Sequence, residues 1–200
     1  MRAQVDGRTR RRADTRQKLY EAAVDLIAER GFAATTVDDI AVRAGVAKGT
    51  VYYNFTSKTE LFEELLRHGV GLLTAEFREV SAGLPAREAV AALIRAQLAY
   101  IQRYRAFAQL LLSEMWRTNR EWQSTLRLLR EEVLGVVAGV LQAGVDAGDF
   151  PADLDVRVAS SALFGVGLVV AVDWLVFQPD RPIEDVEESL RAIVRRVAVG

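Results

Sequence analysis

The 200-residue sequence has no cysteine and a single histidine, His68. The first absence excludes a disulfide framework and a thiolate metal site. The second removes the paired imidazoles of an ordinary zinc centre. A Ser-His-Asp triad around His68 would also need a Gly-x-Ser-x-Gly elbow, and there is none. No glycine loop of the P-loop or dinucleotide-binding type occurs either. The N-terminus carries arginines without an apolar h-region, so it does not read as a signal peptide. The longest apolar run, Ala162 to Val172, is shorter than the roughly 20 residues of a bilayer span, and Asp173 ends it. These absences lead us to expect a cytoplasmic protein without metal, cofactor, catalytic residues or membrane association.

What is present is helix. Apolar residues make up 50% of the chain and recur at three- and four-residue spacing almost throughout, with little sign of strands. The expected fold class is all-α, with about nine helices and enough apolar material for a substantial core. Net charge is only −1, but it is unevenly spread. Residues 1–58 hold 11 Lys and Arg against 7 Asp and Glu, and residues 59–200 hold 15 against 20. A basic N-terminal part on an acidic body is a modest electrostatic signal for a polyanion.

Residues 1–13, with Arg2, Arg8, Arg10, Arg11 and Arg12, read as a flexible basic arm. A first helix follows from about Thr15 to Arg30, burying Leu19, Ala22, Ala23, Leu26 and Ile27 and stopped by Gly31. Thr36 opens a short helix, with Asp39 completing a capping-box pair. Gly45 breaks that helix, and a second short helix spans roughly Ala47 to Phe55. Ser57 and Glu60 form another capping box and start a longer helix toward Leu73. Two short helices joined by a tight turn need a small residue where they touch, a glycine in the turn and apolar inner faces. Ala41, Gly45 and Val51 meet those needs, with Ile40, Ala44, Val46 and Phe55 inside and Ala47, Val51 and Phe55 on one stripe. The other face of the second helix presents Gly49 and Tyr53, flanked by Lys48, Thr50 and Tyr52. A glycine there suits a surface lying close to another backbone, and its neighbours suit phosphate and base-edge contacts.

The stretch from Gly45 through Lys48, Gly49, Thr50, Val51, Tyr52, Tyr53 and Phe55 to Lys58 resembles the DNA-binding domain of TetR-family transcriptional regulators, AcrR-like repressors among them. The resemblance runs from about Thr15 to Leu66. It implies a three-helix DNA-binding domain over residues 14–60, then a helical ligand-binding and dimerisation domain over 61–200, linked by the helix from about residue 57. It further implies that Lys48, Gly49, Thr50 and Tyr52 face the major groove of double-stranded operator DNA. By the same resemblance Tyr53 and Lys58 would contact phosphates, and Thr36 would cap its helix beside the backbone. A small-molecule effector and a homodimer through the last two helices are implied as well.

The body carries no diagnostic motif. Helices are expected at about Arg87–Arg105, Phe107–Thr118, Glu121–Ala147, Leu154–Phe177 and Ile183–Val199, with Gly83-Leu84-Pro85 breaking the chain before them. Gln97, Tyr100 and Tyr104 share a face of the fifth helix with Leu93. On the sixth, Glu114 and Met115 lie with Phe107 and Leu111. With Phe164 and Leu168 of the eighth helix they are candidates to line a mostly apolar effector pocket. The eighth helix is rich in small residues, and the ninth has an apolar stripe through Ile183, Val186, Leu190, Ile193 or Val194, and Val197, which suits the intersubunit four-helix bundle that the resemblance implies. Two rival readings remain. One is a ligand-independent or architectural DNA binder with a purely dimerising body; the other is an enzyme using Glu114 or Asp173 with a tyrosine.

Overall fold

The computed structural model describes residues 2–115 and 123–197, with side chains over 12–112 and 123–194. Among these residues the chain forms nine helices: α1 (Arg2–Arg30), α2 (Val37–Ala44), α3 (Lys48–Asn54), α4 (Lys58–Ser81), α5 (Ala86–Arg103), α6 (Arg105–Met115), α7 (Gln123–Asp146), α8 (Val156–Phe177) and α9 (Ile183–Val197). The fold is all-α. The expected ends of the sixth and ninth helices, Thr118 and Val199, lie outside the described residues.

The chain divides into two compact units, residues 1–67 with 106–125, and 68–105 with 126–200. The boundary therefore falls two turns later in α4 than residue 60, and most of α6 belongs to the first unit. Residues 2–13 also differ from the expected arm, because α1 runs helical from Arg2. Nothing in the sequence stops it: no proline precedes Pro85, and Gly7 is the sole glycine before Gly31.

In the first unit α1 buries Leu19, Ala22, Ala23, Leu26 and Ile27 against the small helices, which contribute Ile40, Ala41, Val51 and Phe55. The start of α4 closes this core with Leu61, Phe62, Leu65 and Leu66. Ala47 departs from the expected apolar stripe. It is the exposed residue before α3, in extended conformation, so its methyl does not reach the core.

The second unit is organised by α5, which packs on α8 and α9 and buries ten of its side chains. After α7 the chain turns back tightly, with the amides of Asp149 and Phe150 both bonding the Gly144 carbonyl. A Cβ on Gly144 would stand 2.2 Å from the Phe150 ring and 2.8 Å from the Ala86 Cβ, so only glycine fits there. Helix α8 has a mean hydropathy of 1.9 over a stretch long enough to cross a membrane, although its longest uncharged run is not. Only Ser160, Gly167, Ala171 and Trp174 of its residues are buried.

Candidate nucleic-acid interface

The turn between α2 and α3 follows from local chemistry. Thr36 Oγ1 accepts from the Asp39 amide at 3.1 Å, and the Asp39 carboxylate accepts from the Thr36 amide at 3.0 Å. This reciprocal box satisfies two amides that α2 leaves open at its start. At the other end Gly45 adopts φ +67°, the left-handed region that favours glycine, and the Val46 amide reaches back to the Ala41 carbonyl. Ala41 and Val51 are both buried, so the two helices meet through small and β-branched side chains.

This packing leaves the opposite side of α3 uncovered. Tyr52 is 50% exposed and Tyr53 77%, high values for large aromatic rings. A Cβ built on Gly49 would meet nothing within 4 Å. Glycine is therefore not required there by intramolecular packing. Lys48 is exposed and pairs with Asp38 at 2.7 Å, which raises its pKa through the hydrogen bond to that carboxylate. Both partners are exposed, so solvent screens the pair and it adds little to the stability of the fold.

Lys58 has partners within the first unit. Its ammonium, half-buried at the start of α4, donates to the Phe32 carbonyl at 2.9 Å and the Thr35 carbonyl at 2.8 Å, and it lies 4.2 Å from the Phe32 ring centroid. Two of its three donors thus tie the loop after α1 to α4. The second capping box is likewise shared between neighbours. Ser57 Oγ accepts from the Glu60 amide, whereas the Glu60 carboxylate accepts from the amide and hydroxyl of Thr56. That hydroxyl bond holds the Glu60 carboxyl below its ordinary range, as the Thr36 hydroxyl does for Asp39.

Of two arginines of α1 that meet these residues, Arg12 was read only as part of the basic arm and Arg16 was not singled out. The Arg16 guanidinium pairs with Glu64 at 3.0 Å, donates to the Tyr20 hydroxyl and stacks 4.7 Å from the Phe55 ring centroid. It braces the end of α3 against α1 and α4. Arg12 lies 5.8 Å from the Tyr53 ring centroid. The spacing of Arg12, Arg16 and Tyr20, four residues apart on one helical face, is the signal that could have found them.

In the second unit, Gln97 and Tyr100 are buried, and their polar groups are used to join helices. Gln97 Nε2 donates to the Phe164 carbonyl of α8 at 2.9 Å, and Tyr100 Oη to the Gly69 carbonyl of α4 at 2.6 Å. Burial pushes the Tyr100 phenol far above the usual tyrosine value, so it remains a neutral donor. Gly167 makes room for the Gln97 amide, since a Cβ there would stand 2.2 Å from its Oε1. Tyr104 is half-buried, its ring 4.7 Å from that of Tyr100, and Phe164 and Leu168 are half-buried on α8. The side chains of Glu114 and Met115 lie outside the described residues. Asp173 is exposed and accepts from Gln178 Nε2 at 3.1 Å. Two open clefts in this unit, of about 560 and 640 Å³, lie elsewhere, on either side of the start of α5.

A short capped helix, a left-handed glycine turn and a second helix with an aromatic and basic outer face define a helix-turn-helix DNA-binding module on a helical body. The N-terminal model of bacterial regulatory proteins of the tetR family matches residues 19–65, and the tetracyclin repressor-like C-terminal domain matches residues 83–180. The transcriptional repressor KstR2 of Rhodococcus jostii is 35% identical over 161 residues, covering 80% of this chain and 78% of the relative. The fatty acid metabolism regulator protein of Bacillus subtilis is 27% identical, covering 80% and 82%. Among solved structures, FadR from Bacillus subtilis in complex with stearoyl-CoA superposes with TM-score 0.79 at 24% identity, covering 89% of this chain and 96% of that one, a likeness of fold. The ketosteroid regulator KstR2 of Mycobacterium tuberculosis gives 0.70 at 29%, covering 90% and 92%. The chain belongs to the TetR family of bacterial regulatory proteins: it is a DNA-binding transcriptional repressor.

Proposed function

We propose that the protein is a cytoplasmic repressor that grips a palindromic operator as a homodimer and leaves it when a large, mostly apolar effector binds the second unit. The observation that carries the DNA-binding half is the uncovered face of α3. Gly49 allows close approach to the groove, and Lys48, Thr50 and Tyr52 reach base edges or sugar-phosphate. Tyr53 meets a phosphate, with Arg12 beside it. Thr36 fixes the start of α2 at the backbone. Lys58 acts mainly by holding the loop at Phe32–Thr35, with one donor left for a phosphate. No catalytic role is needed.

The dimer reading rests on α8. Val158, Val166, Val169 and Val176 are all exposed. At 100° per residue they lie on the side of α8 away from Gly167, Ala171 and Trp174. So apolar a face on a soluble protein calls for a partner, and a second α8 with α9 supplies one. Ile193 on α9 is exposed too. Asp173 sits on the same face and would be paired or solvated at its rim.

The stearoyl-CoA bound to FadR, and the ketosteroid named in the description of KstR2, support an effector with a large apolar body. Gln97 and Tyr100 link α5 to α8 and to α4, the helix continuous with the DNA-binding module. An effector that displaces α5 would break these bonds and shift α4, with Tyr104, Phe164 and Leu168 beside it. Its leverage equals its difference in affinity between the two arrangements.

Selection of bound sequences from a randomised duplex pool tests the reading. The expected result is a palindrome whose half-sites are about one helical turn, 10–10.5 bp, or a multiple apart. Enrichment of no sequence, or of single unpaired half-sites, would overturn it.

A further inference from the structure

Lys48 opens α3, and Asp38 lies ten residues earlier in the first turn of α2. The ammonium sits 2.7 Å from Asp38 Oδ1 and 2.9 Å from Oδ2, so one side-chain pair spans the angle between the two helices. An exposed pair of this kind does little for the fold. Asp38 is not needed to cap α2 either. The neighbouring Asp39 completes the capping box with Thr36 and pairs with Arg30 at 2.9 Å. The contact between Asp38 and Lys48 therefore asks for a reason outside folding.

The cations of this module are held locally. Arg43 forks onto Glu29 with two contacts of 3.0 Å, and Lys58 is bound to two backbone carbonyls. Lys48 stands at the start of the outer face of α3, where Asp38 cancels its charge. For a face that only had to attract phosphates this would be self-defeating, because a neutral pair displaces no counterions. A carboxylate in the same turn as Thr36 would also be repelled by a DNA backbone if nothing neutralised it.

As a unit the pair has another use. An ammonium has three N–H donors, and a carboxylate that engages two of them leaves the third on a long side chain whose rotamers are already restrained. A phosphate attracts a loose ammonium from any direction, whereas one oriented donor on a neutral pair gains most from a fixed acceptor. Guanine offers two adjacent acceptors in the major groove, O6 and N7, which a lysine donor reads.

We propose that Asp38 is a specificity-determining residue: by holding Lys48 it withholds the ammonium from phosphates and directs it to a guanine in each operator half-site. Lys48 is the group that touches the base, and Asp38 is a positioning residue that acts through it. This deepens the reading of α3 as the groove face and rests on it.

Anisotropy of the full-length protein on the selected palindrome, on its single-base variants and on a scrambled duplex of equal length, over a series of salt concentrations, tests the assignment. Wild type is compared with Lys48→Ala, Asp38→Asn and the combined variant. Both positions are exposed, so each variant should keep wild-type helical content. Wild type is expected to lose ~5-fold or more in affinity when one guanine per half-site is replaced. Lys48→Ala should accept every base there nearly alike. Asp38→Asn frees the ammonium for phosphate. It should bind the scrambled duplex several-fold more tightly, with a salt slope steeper by about one phosphate contact, and prefer guanine less than wild type does. In the Lys48→Ala background Asp38→Asn should leave base preference unaltered. Two results overturn the proposal. Asp38→Asn tightening palindrome and scrambled duplex by one factor, with the guanine preference kept, would mark Asp38 as a bare charge. Lys48→Ala weakening every duplex equally would mark Lys48 as a phosphate contact. Either result in a sequence-selective protein removes this assignment and leaves the operator reading standing; a wild type that prefers no sequence removes both.

Discussion

Replacing Gly49 by alanine should move stability and DNA binding in opposite directions. Gly49 is the second residue of α3, has ordinary helical backbone, and would offer an alanine methyl open space, with no atom within 4 Å. Glycine in a helix costs up to about 1 kcal/mol relative to alanine, somewhat less near an end, so Gly49→Ala should stabilise the first unit by several tenths of a kcal/mol. For a chain of this size that is a rise of roughly 1–3 °C in the melting temperature. On the operator the same methyl occupies the surface assigned to the groove. A tenfold loss of affinity corresponds to about 1.4 kcal/mol, a modest figure for a methyl forced between two packed surfaces. Calorimetry on the free protein, with fluorescence anisotropy on a labelled operator at one fixed salt concentration, measures both effects. Unchanged affinity in the Gly49→Ala protein would refute the placement of this face against DNA. A fall of several degrees in melting temperature would refute the open space around Gly49.

Three further outcomes follow from the geometry. Gly144→Ala should destabilise the second unit by about 1–3 kcal/mol through overpacking against Phe150, whereas Gly139→Ala on the same helix meets nothing within 4 Å and should be neutral or stabilising; in urea melts only the first variant would show a lowered midpoint. Lys58→Met removes two hydrogen bonds from a charged group and should cost roughly 1.5–3 kcal/mol of stability while leaving the salt dependence of operator binding within one phosphate contact of wild type. The carboxyls of Asp39 and Glu60 are held below their ordinary range, so their stabilisation is present above that range and is lost as pH falls through their folded values. Acid melts of the Asp39→Asn, Glu60→Gln protein should therefore show a flatter loss of stability on the acid side than wild type.

The helix-turn-helix was legible in the sequence because its determinants are local. Thr36 and Asp39 are three residues apart, Gly45 has to take a left-handed turn, and Ala41 and Val51 lie on helical stripes that can be counted. The exposed side of α3 was legible for the same reason: whatever a short helix does not bury, it presents. Failures came where a side chain acts over long sequence separation. Lys58 meets carbonyls 26 and 23 residues away, and Gln97 meets one 67 residues away, bonds that no periodicity reveals. Gln97 and Tyr100 were read as polar groups in need of partners, and backbone carbonyls of α8 and α4 supply them.

The central claim, that the outer face of α3 reads an operator, is tested most directly by salt-titrated anisotropy of wild type and a Lys48→Ala, Tyr53→Ala double variant on the fragment upstream of the protein's own gene and on the selected palindrome. The account expects saturable, sequence-dependent wild-type binding that weakens steeply with salt, and a folded variant with at least tenfold lower affinity and a shallower salt slope. A variant that binds the same sequence with wild-type affinity and slope would contradict it.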